Sequence, residues 1–311
     1  MATTTAKKKS ASTAKRKATK PAAKKSASAS AKTSVKKVAS AKTSSAKKVP
    51  STSKKTSATP FEKIRGLHLS NVFSGVILAI LTIVFVNPQT KELLLNYQAK
   101  DTFVMSDSVV LGSATESLLN VGIRWILVVI LGLTAVASLL LATRLFKRYE
   151  ATIKAGISGM RWLLYGVISM VVVEFASLLA GVNELNTMKT VGALVLAGSL
   201  FSWLAERENK DSKSPKKLAF YGAVFAYVLA LLPMVISLIA TSVIGDERFS
   251  WYVYVVSAIV VLSTVATLLT LKSSILNKKK FEYVAYEQRY IRIDQIAKFA
   301  IILTIFSAFN K

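Results

Sequence analysis

The stretch Tyr286-Glu-Gln-Arg-Tyr-Ile-Arg-Ile-Asp294-Gln-Ile-Ala-Lys298-Phe-Ala-Ile-Ile-Leu-Thr-Ile-Phe306 decides how the chain is read. It is an apolar run long enough to continue across a bilayer, yet it carries a lysine near its middle and an aspartate four residues before it. On a helix those two side chains stand one turn apart on one face and can pair. An ionisable group at mid-membrane costs at least ~2.5–3.5 kcal/mol on insertion scales, so it marks function unless it is merely a structural ion pair.

Outward from this stretch, apolar segments of similar length recur. The chain has 311 residues, of which 52% are apolar, and its mean hydropathy is +0.45. About 20 apolar residues are needed for a helix to cross ~30 Å of hydrocarbon. Spans are expected near 67–87, 121–143, 160–181, 190–205, 218–244, 251–271 and 291–309, the fourth being the shortest. The fold class that follows is an all-α membrane protein with a bundle of seven transmembrane helices.

Basic residues fall on one side of this arrangement. Arg144, Lys147, Arg148 and Lys154 follow the second span, Arg207, Lys210, Lys213, Lys216 and Lys217 the fourth, and Lys278, Lys279, Lys280, Arg289 and Arg292 the sixth. By the positive-inside rule these loops and the N-terminus are cytoplasmic, and seven crossings put the C-terminus outside, in an integral protein of the cell membrane. The long first outer loop, 88–120, carries Tyr97, Phe103, Val109 and Leu111 among polar residues and is expected to form a small extracellular cap.

Residues 1–60 are of another composition, almost wholly Lys, Ala, Ser and Thr, with 17 basic residues and no acidic one. They account for most of the formal net charge of +26, leaving +9 for the seven-helix domain, 61–311. A segment with so much charge and so few large apolar side chains cannot offset the entropy of ordering, so a disordered tail is expected. It could hold anionic lipid heads at ~1 kcal/mol per basic residue, grip nucleic acid through its phosphates, or serve only as a solvated topogenic tail.

The chain has no cysteine, which excludes disulfides and thiolate-held metals. No metal site is expected. His68, the one histidine, opens the first span and reads as an interfacial side chain. Arg161, Arg124 and Arg292 lie close enough to span ends to snorkel. That leaves Glu174, Asp294 and Lys298 as the charges well inside spans. Pro233 in the fifth span reads as a kink.

Seven helices with a lysine in the middle of the last resemble the retinal-binding rhodopsins, and an N-terminus facing the cytoplasm narrows the resemblance to the heliorhodopsins. The segment Tyr286–Lys298 is similar to that family's approach to helix seven. Weaker likeness lies in Leu133-Thr-Ala-Val-Ala-Ser-Leu-Leu, in Arg161-Trp162-Leu-Leu-Tyr165, in Leu200-Phe201 with Glu206, and in Trp251-Tyr-Val-Tyr254. The resemblance covers roughly residues 65–309 and excludes the tail.

It implies a light-sensing protein, no enzyme, that holds all-trans retinal as a Schiff base on Lys298 and lies in the lipid bilayer, with a homo-oligomer, a dimer, as a further expectation. Arg161, Trp162 and Tyr165 then fall at the chromophore. Where the family has a glutamate counterion three residues after the arginine, this chain has Leu164, its second-span histidine position is Ser138, and the family's helix-one histidine is expected to have no equivalent. The family's polar cluster for the Schiff-base proton is accordingly expected to be absent, and the counterion role to have passed to Asp294. Glu174 stands ten residues beyond Leu164, ~15 Å along a helix, and reads as a second site or an interhelical hydrogen-bonding residue. Further aromatics for a pocket could come from Phe220, Tyr221 and Phe225. Two other readings compete: a seven-helix scaffold without retinal that anchors the basic tail to lipid or nucleic acid, and a small-solute transporter using the buried Asp and Lys.

Overall fold

The structure, a computed structural model, describes residues 59–100, 111–245, 247–276 and 280–309. The basic tail up to residue 58 and residues 101–110 of the first loop, with Phe103 and Val109, lie outside the described residues.

Helix α1 (Pro60–Phe85) starts at a capping box: Thr59 Oγ1 accepts from the Glu62 amide, and Glu62 Oε2 accepts from the Thr59 amide at 2.6 Å, with Pro60 at the first helical position. It leads into an antiparallel hairpin of β1 (Thr90–Lys100) and β2 (Leu111–Gly122), in register from Thr90↔Gly122 to Lys100↔Leu111 with a bulge at Leu93/Leu94. The expected outer cap is therefore built on strands. Leu94 N donates to Asn183 O at 2.9 Å, which fixes the hairpin to the turn after α4.

The remaining helices are α2 (Ile123–Ala142), a short amphipathic α3 (Phe146–Lys154), α4 (Gly159–Leu179), α5 (Leu185–Asn209), α6 (Leu218–Val243), α7 (Trp251–Leu276) and α8 (Lys280–Phe309). Among the described residues, six helices, α1, α2 and α4–α7, are long and apolar enough to cross a membrane. Large apolar side chains stand exposed along them, Phe73, Phe225 and Leu262 among them, an outer surface suited to lipid. The fourth expected span, 190–205, is a 25-residue helix. Its ends contain Glu184, which caps the amides of Asn186 and Thr187, and the polar run Glu206–Asn209, so the apolar reading shortened it.

The main core joins Leu127 and Ile130 of α2, Val173 and Phe175 of α4, Val195 of α5, Met234 of α6, Val256 of α7 and Ile305 of α8. Small residues let backbones approach: a β-carbon on Gly166 of α4 would lie 2.8 Å from Ser199 Oγ of α5, and one on Gly198 would lie 2.9 Å from the Tyr227 ring of α6. Asn87 Nδ2 donates to Phe309 O at 3.0 Å, so α8 ends at the hairpin side and begins at the opposite side.

Candidate functional site

One stripe of α8 organises the site. Tyr283, Glu287, Tyr290, Asp294 and Lys298 recur at spacings of four, three, four and four, so they share one face of the helix. Lys298 Nζ donates to Asp294 Oδ2 at 2.6 Å, with 7% and 19% of the two side chains exposed. The amine also lies 5.3 Å from the ring centroid of Tyr165 on α4. Two opposite charges on one helix turn thus offset each other inside an apolar bundle, the condition under which a charge so deep is tolerated.

Lys298 and Asp294 form part of the wall of a cavity enclosed by α4–α8. Arg161, Trp162, Tyr165 and Gly166 line it from α4, Ser199 from α5, Tyr227 from α6, and Ser263 and Thr264 from α7. Tyr227 and Ser199 hydroxyls hydrogen-bond at 3.0 Å. The α7 wall carries no aromatic side chain; Trp162, Tyr165, Tyr227 and Tyr290 supply the rings. Tyr221 and Phe225 face outward, 58% and 66% exposed, and Phe220 packs in a separate cluster with Trp162 and Leu271.

The free space is about 100 Å³, below the ~300 Å³ at the low end of sites for drug-sized ligands. A long ligand would need lining side chains to turn aside, which small serines and threonines on α4, α5 and α7 allow. The donor set itself fits a carbonyl compound: a primary amine opens onto an apolar cavity with a carboxylate already beside it.

Two turns back along α8, Glu287 belongs to a buried charge cluster. Arg161 Nε donates to both oxygens of Glu287, at 3.0 and 2.9 Å, and its Nη2 donates to Glu206 Oε1 of α5 at 2.8 Å. Ser158 Oγ and Tyr149 Oη donate to Glu287, while Tyr283 Oη and the Ser158 amide donate to Glu206. The guanidinium lies 3.7 Å from the Tyr290 ring centroid and 4.1 Å from that of Trp162. Arg161 is 3% exposed, which corrects the expectation that it snorkels. Snorkelling is a response to an unpaired charge, and here two carboxylates from other helices meet it.

The reading of His68 is corrected as well. It is fully buried, with Nε2 3.2 Å from Tyr149 Oη and Nδ1 3.4 Å from Tyr165 Oη. Tyr165 Oη in turn lies 3.2 Å from Ser138 Oγ. His68, Tyr149, Tyr165 and Ser138 thus form a buried hydrogen-bonded group, because α3 folds back and brings Tyr149 under the start of α1. Glu174 stands apart: it is half-buried, its carboxylate lies against Gly192 of α5, and it does not line the cavity.

Of the seven residues singled out in sequence, Lys298, Asp294, Arg161, Trp162 and Tyr165 therefore meet at the cavity, Ser138 is one hydrogen bond behind Tyr165, and Glu174 lies elsewhere. Glu287, Tyr149 and Tyr283 were missed. The periodicity of polar and aromatic residues along 283–298 was the signal for two of them.

The sequence profile of the heliorhodopsin family matches residues 67–309. Among solved structures, the transmembrane domain of the Salpingoeca rosetta rhodopsin phosphodiesterase is similar in fold, with a TM-score of 0.54 at 13% identity, over 80% of this chain and 85% of that one. No curated protein sequence matches.

Proposed function

Because the chain belongs to the heliorhodopsin family, we propose that it is a retinal-binding, light-sensing membrane protein that does not pump ions. α8 is its seventh span, Lys298 holds all-trans retinal as a Schiff base, and Asp294 is the counterion. One observation carries this reading: the Lys298 amine, paired with Asp294 at 2.6 Å, lies on the wall of the cavity between the helices.

α8 fails a simple apolar test because Arg292, Asp294 and Lys298 fall in its membrane half, yet two of those charges cancel and its last turns, from Ile301 to Phe309, pack in the core. Basic residues after α2 and α5 favour a cytoplasmic N-terminus. Retinal supplies light absorption and a change of shape when bound. The protein's own residues do the rest. Lys298 provides the nucleophile, Asp294 offsets the positive charge at its nitrogen, and Trp162, Tyr165 and Tyr227 shape the wall and keep water out.

A pump needs carboxylates in contact with the site on both of its sides. Asp294, Glu287 and Glu206 follow Lys298 toward one side only, Leu164 stands where the family's helix-three carboxylate would be, and Glu174 is turned toward α5. This distribution supports sensing. Adding all-trans retinal to the protein in membranes should give a visible absorption band that Lys298→Ala abolishes. A wild-type protein that stays colourless would overturn the reading.

A further inference from the structure

A second cavity reaches Lys298 from the side of α1 and α2. It lies between these helices and α8 and holds about 390 Å³ of free space, within the ~300–1,000 Å³ of sites that take small molecules. Gly75 lets α1 close on α2, where an added β-carbon would lie 3.3 Å from Ala135 Cβ; α8 forms the other bank. On that bank Ile296 is 68% exposed and Phe299 47%, so the cavity is a groove that opens on the surface the spans present to lipid. Gln295 Nε2 donates to Ser70 Oγ at 3.4 Å and bridges α8 to α1 at the end nearer the start of α1.

The polar groups of the groove gather at that same end, while Leu78, Leu131 and Leu303 line the stretch toward the hairpin, ~10–12 Å along the helices at ~1.5 Å per residue. Most of these polar groups are already bonded. Ser74 Oγ donates to Asn71 O, Thr134 Oγ1 to Ile130 O, Gln295 to Ser70 and Lys298 Nζ to Asp294. Asn71 Nδ2 differs: it has no partner at hydrogen-bond distance, although the residue is only 2% exposed. Tyr165 Oη, toward which the amide lies, already meets Ser138 and His68, and an amide has two hydrogens to place. A buried donor without an acceptor is costly, so the groove offers one fixed hydrogen bond to a ligand that brings an oxygen.

We infer that this groove binds a single-chain lipophile with an uncharged terminal oxygen, a long-chain alcohol, whose oxygen accepts from Asn71 Nδ2 and whose hydrocarbon runs between α1 and α8 toward the hairpin. The hydroxyl's own hydrogen goes to Ser74 Oγ, which donates elsewhere and keeps its lone pairs free. Depth decides against a phospholipid: Asn71 stands near the middle of α1, and a charged headgroup stays at the membrane surface. Charge decides against a fatty-acid anion, because Asp294 already offsets Lys298 and a second carboxylate there would be buried without a partner. Water suits only the polar end, since the rest of the wall is apolar. The occupant covers Lys298 from the bilayer side. The site stands apart from the retinal cavity and does not depend on the retinal reading.

The test uses full-length, retinal-free protein in phosphatidylcholine nanodiscs and hexadecanol carrying a photoreactive diazirine at mid-chain, with adducts mapped by mass spectrometry. Labelling should saturate, fall within 74–78 of α1 and 299–303 of α8, and be displaced by plain hexadecanol but not by ionised hexadecanoate. Asn71→Leu, which keeps the volume and loses the donor, should weaken binding about tenfold, the worth of one hydrogen bond. Ala300→Phe narrows the groove from the other bank without touching Asn71 and should abolish saturable labelling; it keeps the test decisive if Asn71→Leu fails to fold. Labelling that rises without saturating is that of ordinary surrounding lipid and would overturn the proposal, as would saturable labelling unchanged in either folded variant. Displacement by hexadecanoate would refute the neutral-oxygen assignment. Failure of retinal to colour the protein would contradict the retinal reading alone, since the labelling needs no pigment.

Discussion

Replacing Arg161 by Met should be the most damaging single substitution among the buried polar residues, and the structure indicates by how much. The guanidinium makes contacts of 2.8–3.0 Å to Glu206 and Glu287 at 3% exposure. With an effective dielectric constant of about 20, each pair at such distances is worth roughly 5–6 kcal/mol before desolvation is counted. Removing one partner of a buried pair costs about 3–5 kcal/mol, and here it strands two carboxylates, so a loss near the upper end, ~5 kcal/mol, is expected. Glu287→Gln leaves Arg161 and Glu206 as a balanced pair and costs mainly the clash of an amide NH₂ with surrounding donors, about 1–3 kcal/mol. Equilibrium unfolding in mixed detergent micelles, followed by far-ultraviolet circular dichroism, compares the two. A loss under ~1 kcal/mol for Arg161→Met, or equal losses for both, would refute the view that one guanidinium holds two ionised carboxylates.

Other consequences are open to direct measurement. Asp294→Asn should still bind retinal but replace the visible band by a near-ultraviolet one at neutral pH, since no carboxylate then offsets the charge at the Lys298 nitrogen; an unaltered spectrum would return the counterion role to another group. Gly166→Val should narrow the cavity and push α4 from Ser199, which a β-carbon at 166 already approaches to 2.8 Å; pigment yield should fall and stability drop by about 1–3 kcal/mol, as read by reconstitution and thermal melting. Leu94→Pro removes the amide that donates to Asn183 O at 2.9 Å, and should raise amide exchange in 90–100 and 111–122 while α4–α8 keep their protection. Deleting residues 2–58 should leave pigment formation unchanged and sharply reduce binding to anionic liposomes or nucleic acid, measured by flotation or gel shift.

The spans were legible in the sequence because hydrophobic length is a local property: α1, α2 and α4–α7 all contain the expected apolar runs. Asp294 and Lys298 were legible for the same reason, being four residues apart on one helix. The rest depended on contacts between distant segments. Glu206 and Glu287 are far apart in the chain, and both stand next to polar residues that read as loop, so nothing local shows that they converge on Arg161. His68 at a span's edge reads as interfacial until α3, a nine-residue helix in a basic loop, places Tyr149 over it. The hairpin was hidden because β1 and β2 lack period-two alternation, with Leu93–Leu95 in a row, and their pairing depends on each other.

The most direct measurement is chemical mapping of the pigment. The full-length protein, reconstituted with all-trans retinal in lipid, is reduced with borohydride, digested and analysed by mass spectrometry. The account predicts one retinyl adduct, on Lys298, with loss of the visible band on reduction. An adduct on another lysine, or no adduct on a folded protein, would contradict it.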